Sequence, residues 1–209
     1  MGLWKKRAKS DGLAAAVDML ERWQRQLMEE ATPPWFPAWC IQFAEPISDS
    51  RLTAAMLLQN RNDERWLLLG YPAAVSERHL WATWLALRER VLAENVISNS
   101  LDGEFLRLIA GTHQMNVAFN RAGVQSGDDK AWLIRLPDWD KESSAEIELP
   151  NYNGKYDVNA YELMSWLEAE LLPLRPMPTL DSLERLEINY DSNNPNLQIP
   201  KYFLLFSIL

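Results

Sequence analysis

The chain has 209 residues, of which 47% are hydrophobic and 24% are charged. This apolar content excludes an intrinsically disordered chain and is enough to build one core. No apolar stretch approaches the length of a membrane-spanning helix, so we expect no membrane association. The single cysteine, Cys40, excludes a disulfide framework and a cysteine-based metal site, and the absence of a secretory leader favours a cytoplasmic protein.

The formal net charge of −8 is unevenly distributed. Residues 1–75 carry nine basic and nine acidic residues, and residues 76–135 carry seven of each. Residues 136–209 carry five basic and thirteen acidic residues, so the net acidity lies in the last third. Because phosphate binding depends on Lys and Arg, an acidic chain is a poor candidate for wrapping nucleic acid, although the neutral middle leaves a local RNA contact open.

Residues 1–34 are predicted to form an N-terminal extension, and residues 35–209 one domain. A basic start precedes the helix cap at Ser10-Asp11, and Thr32-Pro33-Pro34 ends the helix. We expect its apolar stripe to pack on the body of the domain or on a partner. The stripe comprises Leu13, Val17, Leu20, Trp23 and Leu27.

Strands and helices are predicted to alternate along the domain. The predicted strands are Trp39 to Phe43, Trp66 to Gly70, Glu104 to Ala110 and Ala131 to Leu136. The predicted helices are Ser48 to Gln59, Ser76 to Glu94, Thr112 to Gly123 with Met115, Ala118 and Phe119 facing inward, Asn159 to Leu172 and Leu180 to Leu186, with a long loop over 138–160. This order predicts a mixed α/β (α+β) domain with one small mixed or antiparallel sheet flanked by helices.

The residue types needed for catalysis are sparse. The eight glycines form no phosphate-binding loop, and the two histidines, His79 and His113, fall on different predicted helices, where we expect ordinary helix-start or surface roles. Cys40 lies in an apolar strand and is expected to be inert in the core. Carboxylate pairs such as Glu168 with Glu170 and Asp128 with Asp129 are expected to be solvated. We therefore predict no catalytic residue, cofactor, metal or small-molecule substrate.

The C-terminal end is almost wholly apolar. Such an end must be buried, either in its own domain or against another protein. Its apolar residues are Phe203, Leu204, Leu205, Phe206, Ile208 and Leu209.

Residues 79–124 carry a specific series of short motifs. These are His79-Leu80, Asn95-Val96-Ile97, Ser100-Leu101, Glu104-Phe105-Leu106, Gly111-Thr112-His113-Gln114-Met115 and Ala118 to Val124. In order and spacing the series resembles the kinase-binding subunit family of the KEOPS complex, which modifies tRNA. The resemblance implies a non-catalytic subunit that binds the small atypical kinase of KEOPS through a helical face and the apolar C-terminal end. It further implies support of threonylcarbamoyladenosine synthesis and help in binding the 3′ end of tRNA.

The resemblance also suggests which residues would contact tRNA. Asn99 replaces a lysine of the family pattern and His113 an arginine, so two positive groups are absent. We expect Asn95 to order the turn after the long helix, Glu104 to open a strand and Gly111 to permit a strand-to-helix turn. The candidate tRNA contacts are Asn95, Asn99, His113, Gln114, Arg78 and Arg107, with Arg88, Arg90 and Arg121 as further cations.

Two other functions stay open from the sequence. One is a stand-alone RNA-binding module that holds a single-stranded end through His113, Gln114 and nearby arginines. The other is an enzyme with an unrecognised histidine or carboxylate site, which would require a deep pocket containing His79 or His113.

Overall fold

A computed structural model describes residues 35–139 and 154–186, together with the isolated helical positions Val17 and Glu21. Within these residues, four strands form one antiparallel sheet in the order β2-β3-β1-β4. The strands are β1 (Ala38–Phe43), β2 (Trp66–Gly70), β3 (Lys130–Arg135) and β4 (Ala169–Leu172). The predicted mixed α/β fold with an antiparallel sheet is thereby confirmed.

Cys40 lies at the centre of the sheet. It pairs with Trp132 of β3 on one side and with Leu172 of β4 on the other, and its side chain is fully buried. Burial raises the pKa of the Cys40 thiol to about 11. The predicted inert core position of this cysteine agrees with both observations.

Helices cover both faces of the sheet. Leu80, Trp84 and Phe105 belong to the core on one face, whereas Leu57 and Leu163 belong to the core on the other. The helices in the described ranges are α1 (Ser50–Asn60), α2 (Glu77–Leu92), α3 (Leu101–Ile109), α4 (Met115–Ala122), α5 (Asp157–Trp166) and α6 (Leu180–Arg185). Helices α2, α3 and α4 therefore form one layer, and α1 and α5 form the other.

Two helix starts follow directly from the sequence. The Asp49 side chain accepts hydrogen bonds from the backbone N–H groups of Arg51 and Leu52, which caps α1. The Ser76 hydroxyl accepts from the backbone N–H of His79 and caps α2. Both predicted helices are confirmed.

The predicted strand from Glu104 to Ala110 is wrong, because these residues belong to α3 and its C-terminal end. The Ser100 side chain caps this helix, and Phe105 and Ile109, four residues apart, both face the core. Glu104 therefore lies inside a helix and opens no strand. Gly111, with a φ of 63°, follows the helix and connects it to α4, so it turns from helix to helix.

The predicted helix from Asn159 to Leu172 is right only in its first part. Helix α5 ends at Trp166, Glu168 adopts a left-handed φ of 51°, and the chain then reverses into β4. Strand β4 pairs with β1, and this pairing satisfies backbone groups that β1 would otherwise leave unpaired within the described sheet.

Three smaller expectations also need correction. The helix cap predicted at Thr112 lies at Gln114, although the Thr112 hydroxyl accepts a hydrogen bond from the Gln114 backbone N–H; Gly123 ends α4 as predicted. Phe119 is 49% exposed and does not face the core. Asp128 is largely buried and forms an ion pair with Arg185 at 3.1 Å, whereas its neighbour Asp129 is exposed.

Glu77 and Arg175 join distant parts of the chain. Glu77, buried at the start of α2, accepts hydrogen bonds from the Phe36 backbone N–H at 2.8 Å and from Arg175 Nε at 2.6 Å. Arg175 also donates to the carbonyls of Phe36 and Ala38. Burial raises the pKa of Glu77, and the Arg175 guanidinium only partly offsets this. The pair ties α2 and the segment after β4 to the start of β1.

Several expectations concern residues outside the described ranges. These are the extension over residues 1–34 apart from Val17 and Glu21, most of the loop over 138–160, and the C-terminal run from Phe203 to Leu209. Among the helices that are described, none is both long enough and apolar enough to cross a membrane.

Candidate functional site

Glu104 is a fully buried carboxylate at the centre of the region that carries the predicted tRNA contacts. It accepts from Arg107 Nη1 at 2.5 Å and from Arg90 Nη1 at 3.4 Å. It also accepts from the backbone N–H groups of Ile97 at 3.2 Å and Ser98 at 2.9 Å. The carboxylate therefore fixes the turn between α2 and α3.

Arg107 extends this network to the turn between α3 and α4. Its side chain is 4% exposed, and its Nε donates to the His113 carbonyl at 3.1 Å. Its Nη2 lies 3.1 Å from His113 Nδ1, and Nδ1 must accept because a guanidinium has only donors. Together Glu104 and Arg107 hold the two turns on either side of α3. We call residues 93–100 and 110–114 the paired turns.

The paired turns bring four of the six candidate tRNA contacts to the surface. Asn95, Asn99, His113 and Gln114 are all exposed. Of the other two, Arg78 is half-buried near the start of α2, and Arg107 is buried. The guanidinium of Arg107 is committed to Glu104 and His113, so Arg107 cannot serve as a phosphate contact in this conformation.

The turn after α2 is ordered differently from our expectation for Asn95. The Asn95 backbone N–H donates to the Arg90 carbonyl at 2.9 Å, whereas the carboxylate that organises the turn is that of Glu104. Sequence reasoning missed this role because it placed Glu104 in a strand. The signal was Glu104 with Arg107 three residues later, the spacing of an ion pair on one helix face.

The remaining candidate cations also make internal contacts. Arg88 lies 3.2 Å from the Glu89 carboxylate, and Arg90 binds Glu104. Arg121 Nη1 donates to the Ala110 carbonyl at 3.4 Å. Much of the positive charge near the paired turns is therefore neutralised by the protein itself.

His79 lies in the first turn of α2, which agrees with the helix-start role given as one alternative, and it is 5% exposed, so the surface alternative is wrong. Burial lowers its pKa to about 4, and the imidazole is therefore neutral at neutral pH. The Thr83 hydroxyl, one turn later, donates to the His79 carbonyl at 2.8 Å.

A groove of about 600 Å³ lies between α1 on one face of the sheet and α3 and α4 on the other. Leu67 and Leu68 of β2 line it, and Leu58 (50% exposed) and Phe119 (49% exposed) lie on opposite walls. Neither histidine lines this groove. The sequence reading missed it because Phe119 was assigned to the core. The apolar Leu58 next to the buried Leu57 was the available signal.

The protein is therefore a mixed α/β domain with two distinct surface features. One is the paired turns, which Glu104 and Arg107 hold together, and the other is the apolar groove. Among the described residues, no cluster of three or more His, Cys, Asp or Glu side chains could hold a metal ion. Comparisons with known protein families and with curated proteins give no match to this chain.

Proposed function

We propose that this chain is a non-catalytic subunit of KEOPS that binds the small atypical kinase of the complex and supports threonylcarbamoyladenosine modification of tRNA. The observation that carries the proposal is the ordered series of motifs from His79 to Val124, which resembles the kinase-binding subunit family. A cytoplasmic location belongs to the same proposal.

The structure gives these motifs a common physical setting, which supports the proposal. The series runs through α2, α3 and α4, which pack together on one face of the sheet. Glu104 and Arg107, which both fall in the series, connect the turns that hold Asn95-Val96-Ile97 and Gly111-Thr112-His113. The motif residues therefore form one contiguous layer.

Kinase binding is tested by co-purification of the chain with the small kinase of its own source. We expect the full chain to retain the kinase and a truncation lacking Phe203 to Leu209 to lose it, because the apolar end supplies part of the proposed contact. A matched control is Val158→Glu, which changes a residue that is 69% exposed on α5, on the other face of the sheet. This variant should bind as the full chain does.

The proposal fails if the full chain is folded, as judged by circular dichroism, and retains no kinase. Binding that survives truncation would keep the kinase-binding role but remove the C-terminal end from the contact. The helical layer would then be the surface to test next.

A second candidate activity is binding of the tRNA 3′ end, and the exposure of Asn95, Asn99, His113 and Gln114 on the paired turns favours it. Amide and imidazole groups can hydrogen-bond the edges of unstacked bases in single-stranded RNA. In this proposal the paired turns read the bases, and the arginines already engaged inside the protein contribute little phosphate binding.

A further inference from the structure

The apolar groove runs along the outer edge of β2. Leu67 belongs to the core on one face of the sheet and Leu68 to the core on the other, yet both line the groove. A cavity that reaches residues of both faces must lie beside the strand. Within the described residues, β2 is one of the two edge strands of the sheet, and β4 is the other.

The hydrogen-bond register shows which backbone groups face the groove. The Leu136 N–H donates to the Arg65 carbonyl, so the backbone N–H and C=O groups of Arg65, Leu67 and Leu69 point toward β3. The backbone groups of Trp66 and Leu68 point the other way, and the Trp66 carbonyl accordingly accepts from Arg61 Nη1 at 2.7 Å on the outer side. The N–H and C=O of Leu68 therefore point into the groove, with no strand beside them in the described residues.

This arrangement suits an extended apolar segment. Leu68 is 8% exposed, and buried backbone groups require partners, which an added strand would supply. The walls contribute apolar side chains to pack against such a strand, among them Leu58, Leu106 and Phe119.

The end of the described chain lies at the rim of this groove. Arg185, at the end of α6, donates to the Gly123 carbonyl and pairs with Asp128, and Gly123 itself lines the groove. Residues 187–202 then separate Leu186 from the apolar run Phe203 to Leu209. At about 3.3 Å per residue, this connector spans up to roughly 50 Å when extended, which is ample for a return to β2.

We propose that the C-terminal run Phe203 to Leu209 of this same chain occupies the groove as a fifth strand, paired with the outer edge of β2. The run supplies the apolar side chains that the groove would bury, and its backbone supplies the partners for Leu68. This goes beyond kinase binding, because it concerns the chain without its partner. The contact of this end with the kinase in the proposed function would then require release of the run from the groove.

The test is amide hydrogen exchange of the isolated chain, measured by nuclear magnetic resonance without kinase or tRNA. We expect removal of Phe203 to Leu209 to speed exchange of the Leu68 amide by about tenfold or more, because its partner is lost. The amides of Leu67 and Leu69 point toward β3 and are expected to change far less, which makes them internal controls. Equal Leu68 exchange with and without the run would overturn the proposal.

A second variant keeps the full chain and guards against a truncation that disturbs folding. Leu58→Glu places a charge on the groove wall at a half-exposed position, and it should reproduce the faster Leu68 exchange. Val158→Glu, on α5, should leave exchange unchanged. Leu68 exchange that is insensitive to Leu58→Glu would count against the proposal. Protection that appears only at high concentration, together with a dimer in sedimentation, would assign the groove to a second copy and overturn the intramolecular arrangement.

Discussion

Glu104 and Arg107 place a carboxylate and a guanidinium in the interior, with exposed fractions of 0% and 4%. Burying one of these charges without the other is costly, because neither water nor a partner then compensates it. The network also includes backbone N–H groups of the turn before α3, so the pair has a structural role that surface ion pairs lack.

We expect Glu104→Met and Arg107→Met each to lower the free energy of unfolding by about 3–5 kcal/mol, because each leaves the other charge buried without its partner. The double variant Glu104→Met with Arg107→Met should lose much less than the sum, because it leaves no unpaired charge. Urea denaturation of the three variants measures this coupling. Lys155→Ala, which removes the exposed ion pair with Asp138, is the control and should cost less than about 1 kcal/mol. Additive losses at Glu104 and Arg107 would contradict the expected coupling.

Because His79 is buried, we expect the free energy of unfolding to depend on pH. Its pKa is about 4 in the folded chain, against 6.5 for an unperturbed histidine, so the unfolded chain binds the extra proton between these values. The contribution of the neutral His79 to the free energy of unfolding is complete above pH 6.5 and is lost as pH falls toward 4. At about 1.36 kcal/mol per pKa unit, the loss amounts to about 3 kcal/mol.

His79→Gln should remove this component, which is measured as the difference in unfolding free energy between pH 7 and about pH 4.5. Asn99→Gln, which changes an exposed residue without a titratable group, is the control and should retain the dependence of the parent chain. If both substitutions leave the same pH dependence, His79 does not titrate between these limits.

At the scale of the elements, helix caps and buried strands were the features best predicted from the sequence. The cap residues Asp49 and Ser76 predicted the starts of their helices correctly. The apolar stretches predicted as strands are β1, β2 and β3. These features are local, since a cap or an apolar run determines its own conformation with little help from the rest of the chain.

The errors at this scale arose where distant contacts decide the structure. The sequence pattern over 159–172 continues helically with no glycine or proline before Pro173, yet β4 forms because β1 offers it an edge. Glu168 takes the left-handed conformation without the glycine that usually marks it. For α3, the apolar residues Phe105, Leu106, Leu108 and Ile109 suit either periodicity, so packing against α2 and α4 had to decide. The same error affected the prediction of the site, because Glu104 can bind Arg107 and the turn before α3 only when these residues form a helix.

Gly111 gives a test of the connection between α3 and α4. Its φ of 63° is costly for a residue with a Cβ, so Gly111→Ala should lower the free energy of unfolding by about 1–2 kcal/mol. Gly111→Asn should cost less, because asparagine tolerates this conformation better. Thermal and urea denaturation of the two variants measure the difference. Equal losses would show that backbone conformation at this position is not the cause.

At the scale of the whole molecule, charge limits the form that tRNA binding can take. The net charge is −8, and the arginines at 88, 90, 107 and 121 are engaged in contacts within the protein. We therefore expect any affinity for tRNA to depend weakly on salt, with fewer than about two phosphate contacts and a slope of log affinity against log salt shallower than about −1.5.

Fluorescence titrations of tRNA from about 50 to about 200 mM salt measure this slope. The combined change His113→Ala with Gln114→Ala should weaken binding, whereas Val158→Glu on α5 should not. A steep slope would point to a basic surface other than the paired turns and would favour the stand-alone RNA-binding module.

The strand order has a consequence for biosynthesis. Strand β1 is a central strand, but its partner strands are synthesised long after it. Ala38, for example, pairs with Ile134, about 96 residues further along the chain. At a translation rate of roughly 5–20 residues per second, β1 waits about 5–20 s on the ribosome before β3 exists, with the apolar segment from Ala38 to Phe43 unpaired. Nascent chains of this protein should therefore depend on chaperones over that interval, and a rearranged gene that encodes β3 directly before β1 should relieve the dependence.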